Sequence, residues 1–262
     1  MDHDPADRST LYSCDLLLKE VVQTTLNKRT GHMFKSIGWT WNPCWGCSHE
    51  CKYCYAKKIA EKFECGNFEE CHFRPHFLKD KFPNDGTIIM VASMGDIFCD
   101  GMKDHWIEQI IEKCFEATNN RFLFPTKNPS RAIDWLPKMD GLQQRPIIGT
   151  TLETNRDTPW SKAPTPTERF TDLWYSTDEH AYSIHDTFLS LEPLSDFDML
   201  TLVYMVKKIR PIAVEIGLEN YTHFTETVSD FKICTLLRWL KHYRIPYVLK
   251  KNLEHMEAAC FG

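Results

Sequence analysis

Cys44, Cys47, Cys51 and Cys54 fall within eleven residues, and the last three are spaced C-x3-C-x2-C in "CSHECKYCYAKKIAEKF". Thiolates are soft ligands, so such a run points to a metal centre. Four cysteines could close a zinc knuckle or a four-thiolate iron–sulfur cluster, which would be structural or electron-transferring. Three could hold a four-iron cluster and leave one iron open for chemistry. Structural zinc usually joins two separated ligand pairs, and stapling contiguous residues removes little chain entropy. The placement of the loop, after a strand and before a helix, favours the open cluster, with Cys44 a bystander.

The loop needs elements to position it. It follows a strand-like run at Ile37–Trp41 and enters a helical pattern at Tyr55–Phe63. Further strand-like runs occur at Thr87–Ser93, Arg121–Thr126, Pro146–Thr151, Thr187–Glu192, Ile212–Gly217 and Tyr247–Lys250. Helical patterns lie between them at His105–Ala117, Ser130–Leu136, Pro166–Tyr175, Phe197–Ile209 and Thr227–Tyr243. Strand–helix alternation implies parallel βαβ units. The number of repeats predicts an α/β fold, a partial (β/α)6-type TIM barrel of parallel strands, with a doubly wound open sheet as the alternative. Residues 1–35 read as an N-terminal arm with one helix at Leu16–Thr25, and residues 36–262 as the barrel domain. Thr158–Thr167, "TPWSKAPTPT", reads as a surface loop.

Functional groups of parallel β/α folds gather at the C-terminal strand ends. Here these ends read "WTWNP", "SMGD", "TKNP", "TLETN", "LEPL", "GLEN" and "LKKN". Each is a short apolar run that turns abruptly polar, so together they predict a polar mouth around the cysteine loop.

Composition narrows the class. The 262 residues carry a net charge of −5 with 42% hydrophobic residues, which disfavours a general polyanion binder. No apolar run is long enough to span a membrane, and "MDHDPADRST" lacks the apolar core of a signal peptide. Eleven cysteines in such a chain suggest metal ligands in a reducing cytoplasm rather than a disulfide framework.

Cys47-x3-Cys51-x2-Cys54, with Tyr53 before the third cysteine, resembles the signature of the radical S-adenosylmethionine (radical SAM) superfamily. The likeness extends to an uncharacterised phage-type group, distantly similar to spore photoproduct lyase-like enzymes. It rests on Trp41–Pro43, Ser93–Phe98, Thr126–Arg131, Gly149–Glu153, Leu189–Leu194 and Pro246–Lys250 in that order, over about residues 36–253. The resemblance implies a [4Fe–4S] cluster on Cys47, Cys51 and Cys54, with S-adenosylmethionine on the open iron. Reductive cleavage would give a 5′-deoxyadenosyl radical that takes hydrogen from a substrate.

It further implies roles residue by residue. Tyr53 would lie near the adenine. Ser93, Gly95 and Asp96 stand where relatives carry a Gly-Gly-Glu turn, and Asp96 would accept the methionine amino group. Thr151, Glu153 and Asn155 would meet ribose or carboxylate, and Lys127 or Arg169 would pair with the carboxylate. Glu192 and Lys250 are the catalytic candidates, with a structural ion pair at the rim as the competing reading. A flavodoxin- or ferredoxin-like electron donor is expected, and the resemblance leans towards a nucleic-acid or nucleotide substrate. A peptide or protein substrate is the alternative within the superfamily. A four-cysteine zinc or closed-cluster nucleic-acid adaptor is the alternative outside it.

Other residues carry weaker signals. Cys65, Cys71, His72 and His76, with Cys99 or Cys14, could form a second metal site, although their spacing fits no standard pattern. Cys14 and Cys99 could instead be redox-active thiols. Cys114 and Cys234 read as buried small hydrophobes. Trp39, Trp41 and Trp45 would shield the cluster, and Glu215 could face solvent.

Overall fold

The computed structural model describes residues 26–28, 36–63, 65–177, 184–219 and 226–262. The predicted helix at Leu16–Thr25 and Cys14 lie outside them. The strands are β1 (Leu26–Lys28), β2 (Trp39–Trp41), β3 (Cys44–Trp45), β4 (His72–Phe73), β5 (Ile88–Val91), β6 (Arg121–Pro125), β7 (Ile147–Thr151), β8 (Asp186–Leu191), β9 (Ala213–Ile216) and β10 (Tyr247–Leu249). The helices are α1 (Tyr55–Lys62), α2 (Asp104–Cys114), α3 (Pro129–Asp134), α4 (Leu136–Met139), α5 (Pro166–Ser176), α6 (Met199–Ile209), α7 (Asp230–His242) and α8 (His255–Phe261), with a 3-10 helix at Pro75–Lys79. Every predicted strand forms. The expected helix at Ser130–Leu136 divides into α3 and α4 around Trp135, because Pro137 has no N–H with which to continue α3.

One sheet runs β1-β2-β5-β6-β7-β8-β9-β10, parallel from β2 to β10 and antiparallel only where β1 meets β2. Among the described residues β10 finds no partner beyond β9, so the sheet stays open. It is nevertheless strongly curved. Residues after β2 and after β10 line the same cavity, which a flat sheet about 35 Å wide could not allow. The fold is an α/β partial barrel. Leu26–Lys28, within the stretch read as an arm, supplies the antiparallel edge.

Alternation along the strands separates two apolar layers. Ile89, Val91, Phe122, Phe124, Leu189, Leu191, Val214 and Ile216 face the helices and join the main core. Ile37, Met90, Leu123, Ile147 and Phe188 fill the concave side as a plug. At about 25 cal/mol per Å² these apolar layers dominate the drive to fold. Cys234 does not stay a free core thiol as expected: it is disulfide-bonded to Cys260 and ties α7 to α8. Cys114 is a buried free cysteine, as expected. Among the described residues no helix is long and apolar enough to cross a membrane.

Candidate active site

The cysteine loop is fastened at both ends and along its length. Asn42, just past β2, accepts bonds from Ser93 Oγ and the Met94 amide, each at 3.0 Å, so the ends of β2 and β5 are tied together. The loop then passes through a narrow gap at Gly46, whose φ is +84° and where a Cβ would overlap the Glu70 carbonyl oxygen. A Cβ on Gly95 would lie 2.7 Å from the Gly46 oxygen, so two glycines permit this crossing. The Cys47 amide donates to Phe68 O at 2.8 Å. Cys54 is the N-cap of α1, its sulfur accepting from the Lys57 amide. Thr158–Thr167 is more than a surface loop. Trp160 O accepts from the Lys52 amide at 2.9 Å and the Lys162 amide donates to His49 O at 2.7 Å, which clamps the cysteine loop from outside.

Above the apolar plug lies a cavity of about 410 Å³, in the range of small-molecule sites. Met90 and Phe188 floor it, and Gly149 keeps it open, since a Cβ there would lie 3.0 Å from Leu123 and 3.3 Å from Phe188. Cys47, Cys51 and Cys54 all line this cavity. Cys44 does not. It is fully buried, with its sulfur packed beside Gly95. The four cysteines divide into three plus one.

Burial pushes the Cys51 thiol up to about 11 and raises Cys54 as well, while Lys127 pulls both the other way. Dry thiols at this mouth therefore stay protonated unless further positive charge arrives. Burial in turn draws Lys127 down to about 8. Lys127 Nζ lies 3.2 Å from Glu153 Oε1 and 5.1 Å from the Tyr53 ring centroid. Glu153 also receives Arg169 at 2.8 Å and the Tyr53 hydroxyl. Arg169 is bonded at its other nitrogen to Thr151 O.

Asp96 has its carboxylate spent on four donors. Phe98 N reaches one oxygen at 2.9 Å, while His49 Nε2, Thr126 Oγ1 and Lys127 N reach the other at 2.9, 3.0 and 2.8 Å. It joins the cysteine loop to the end of β6. On the far wall Lys250 pairs with Glu192 at 3.1 Å, so the rim ion pair is present, and both residues line the cavity. Gly217 makes that pairing possible, because a Cβ there would lie 2.7 Å from Lys250 Cγ and 3.1 Å from Glu192 Cδ.

Of the residues expected from sequence, the cavity gathers Cys47, Cys51, Cys54, Tyr53, Ser93, Gly95, Asp96, Lys127, Thr151, Glu192 and Lys250. Glu153, Arg169 and Asn155 are buried residues outside its lining. Asn155 accepts from the Asp198 amide and donates to the Asp198 carbonyl. His49, also in the lining, was missed. Its only sequence signal is being the one imidazole inside the cysteine run.

Several weaker expectations change. Glu215 is fully buried, not solvent-facing, and accepts from the Ser36 amide and hydroxyl. Trp45 shares a small cluster with Cys47 and Cys54, while Trp39 bonds Asp85, and Trp41 reaches Phe77 O and Asp80. Among the described residues no group of three His, Cys, Asp or Glu could hold a single metal ion, and Cys14 of the expected second site lies outside them. Cys71 Sγ lies 3.1 Å from Cys99 Sγ, and the Cys99 side chain also neighbours that of Cys47.

Solved structures share this architecture. A spore photoproduct lyase variant with bound AdoMet and dinucleoside spore photoproduct matches at TM-score 0.57 and 10% identity, covering 84% of this chain and 78% of that one. The lyase complexed with dinucleoside spore photoproduct matches at TM-score 0.54 and 10% identity with the same coverage. At these identities the likeness establishes the fold. No curated protein matches the sequence. A family model described as a protein of unknown function, DUF5131, matches residues 34–196, from before β2 to just beyond β8, and the chain belongs to that family.

Proposed function

We propose that this chain is a radical SAM enzyme whose Cys47, Cys51 and Cys54 hold a [4Fe–4S] cluster. The observation that carries this reading is that these three sulfurs line one cavity while Cys44 is sealed behind it. The donor set fits. Its buried thiols need added positive charge to ionise, which a bound iron cluster provides. When bound, the cluster supplies the electron that splits S-adenosylmethionine into methionine and a hydrogen-abstracting 5′-deoxyadenosyl radical.

The chain's own residues do the rest. Lys127, held by Glu153 beside Cys51 and Cys54, offers the cation for the methionine carboxylate. Tyr53, Ser93 and Thr151 offer ring and polar contacts to the nucleoside. Asp96, saturated by four donors, braces the loop instead of accepting the amino group. Arg169 and Asn155 hold the β7 end in place. Met90, Phe188 and Gly149 keep the floor dry, and Glu192 with Lys250 faces the substrate side. A flavodoxin- or ferredoxin-like protein would deliver the electron.

The substrate is proposed to carry a nucleobase, as does the dinucleoside in the solved neighbours. Arg156, Lys162 and Lys232 are already paired with Asp196, Asp198 and Glu50. That favours a short ligand over a long polyanion.

Anaerobic reconstitution with iron and sulfide, followed by S-adenosylmethionine cleavage under dithionite, tests the proposal. Four irons per chain and formation of 5′-deoxyadenosine are expected. A chain that binds zinc on four cysteines, or forms no 5′-deoxyadenosine when loaded and reduced, overturns it.

A further inference from the structure

Cys71 and Cys99 lie outside the C-x3-C-x2-C run, yet the fold brings them against its back. Pairing of β3 with β4 sets Trp45 opposite His72, which carries Cys71 to the loop. Its sulfur rests over Gly101, where a Cβ would lie 2.7 Å away, so the chain there leaves room for it. Cys99 is held rigidly: its amide donates to Asp96 O at 3.3 Å and its carbonyl accepts from Arg131 at 2.5 Å. The two sulfurs are 3.1 Å apart, and the Cys99 side chain also neighbours that of Cys47. Cys99 is fully buried, whereas Cys71 is partly exposed. Cys99 therefore has two thiol neighbours, one reachable from solvent and one a cluster ligand.

We propose that Cys71 and Cys99 form a redox dithiol that keeps Cys47 reduced, a role resting on the cluster assignment above. The oxidant is a small-molecule disulfide of the glutathione class. Cys71, the thiol that solvent reaches, gives up its proton as it attacks one sulfur of that disulfide, forming a mixed disulfide and expelling the first small thiol. The Cys99 thiolate then attacks the Cys71 sulfur and expels the second. Cys71 and Cys99 together lose two electrons and two protons, and the reagent gains both as two thiols. Closing the pair needs a contraction of only about 1 Å to reach the bond length of about 2.05 Å. Once Cys99 is bonded to Cys71 it cannot bond Cys47, which stays available to metal. Excess small thiol reverses the reaction.

The test treats reduced, metal-free, full-length protein with oxidised glutathione under anaerobic conditions. Remaining thiols are then alkylated and the disulfides mapped by mass spectrometry, before iron uptake is measured. In the unaltered chain a Cys71–Cys99 link is expected, with Cys47 alkylated and iron uptake retained. In Cys71→Ser, and in Cys71→Ala as a second form, Cys99 is expected to link to Cys47 and iron uptake after oxidation to be lost, as on removal of any one of the three ligands. Cys99→Ser should leave Cys47 alkylated and iron uptake retained. A Cys47–Cys99 link in the unaltered chain, or Cys71 and Cys99 both remaining alkylatable, overturns the proposal. If no form takes up iron, the cluster reading fails, and the disulfide map still decides the pairing.

Discussion

The two ends of the parallel sheet use polar residues in opposite ways. At the N-terminal ends of the strands, Asp85 accepts from Trp39, Thr87 and Asn120, and so ties β2, β5 and β6 together. Nearby Arg121 pairs with Asp186, and His185 contacts Ser176. At the C-terminal ends, Glu153, Asp96 and Glu192 are also paired, but around an open volume. One end is closed by its hydrogen bonds and the other is held open by them. The difference teaches that charge pairing at the mouth preserves a shape as well as stability, whereas at the base it serves stability alone. This matches the division of labour along β/α strands.

The sharpest way to break this comparison is at the cysteines. Cys51→Ala or Cys54→Ala should abolish cluster iron and 5′-deoxyadenosine formation, whereas Cys44→Ala should retain both, read by iron content and product analysis. Loss of the cluster with Cys44 would erase the three-plus-one division. Next in size, Glu153→Ala leaves the buried Arg169 and Lys127 without their shared partner. It should cost about 3–5 kcal/mol in denaturant unfolding and reduce S-adenosylmethionine binding.

At the base, burial lowers His185 to about 4 from an ordinary 6.5. The unfolded chain therefore binds the extra proton between those values, and stability falls as pH drops from about 6.5 towards 4. The loss is up to about 3 kcal/mol. His185→Asn should flatten that part of the acid limb with iron content unchanged. Asp85→Asn should cost about 1–2 kcal/mol, again without touching the cluster. Arg156→Ala, an exposed pair, should change stability by less than about 1 kcal/mol. A base substitution that empties the mouth of iron would show that the two ends are not separable.

Much of the scaffold was legible because its signals are local. Short apolar runs ending in polar turns marked all seven parallel strands, and the helical pattern from Pro166 marked α5. The β3–β4 ribbon was not legible, since two-residue strands carry no period. Nor was α8, which follows a polar stretch and is fixed by packing Met256 and by Cys260. In the site, Lys127 and Glu153 could be named from strand ends. Their shared bond could not, because 26 residues separate them.

By itself the sequence determined the chemistry on offer: three cysteines at C-x3-C-x2-C, a strand before them, a helix after them, and the polar ends that would surround them. Spacing and period are properties of neighbours, so they survive without a fold. Only the tertiary structure decided which sulfurs share a cavity. It sealed Cys44 behind Gly95, saturated Asp96, placed His49 in the wall and set Cys71 beside Cys99. These outcomes depend on sheet curvature and on close backbone approach at Gly46 and Gly95, which bring together side chains tens of residues apart.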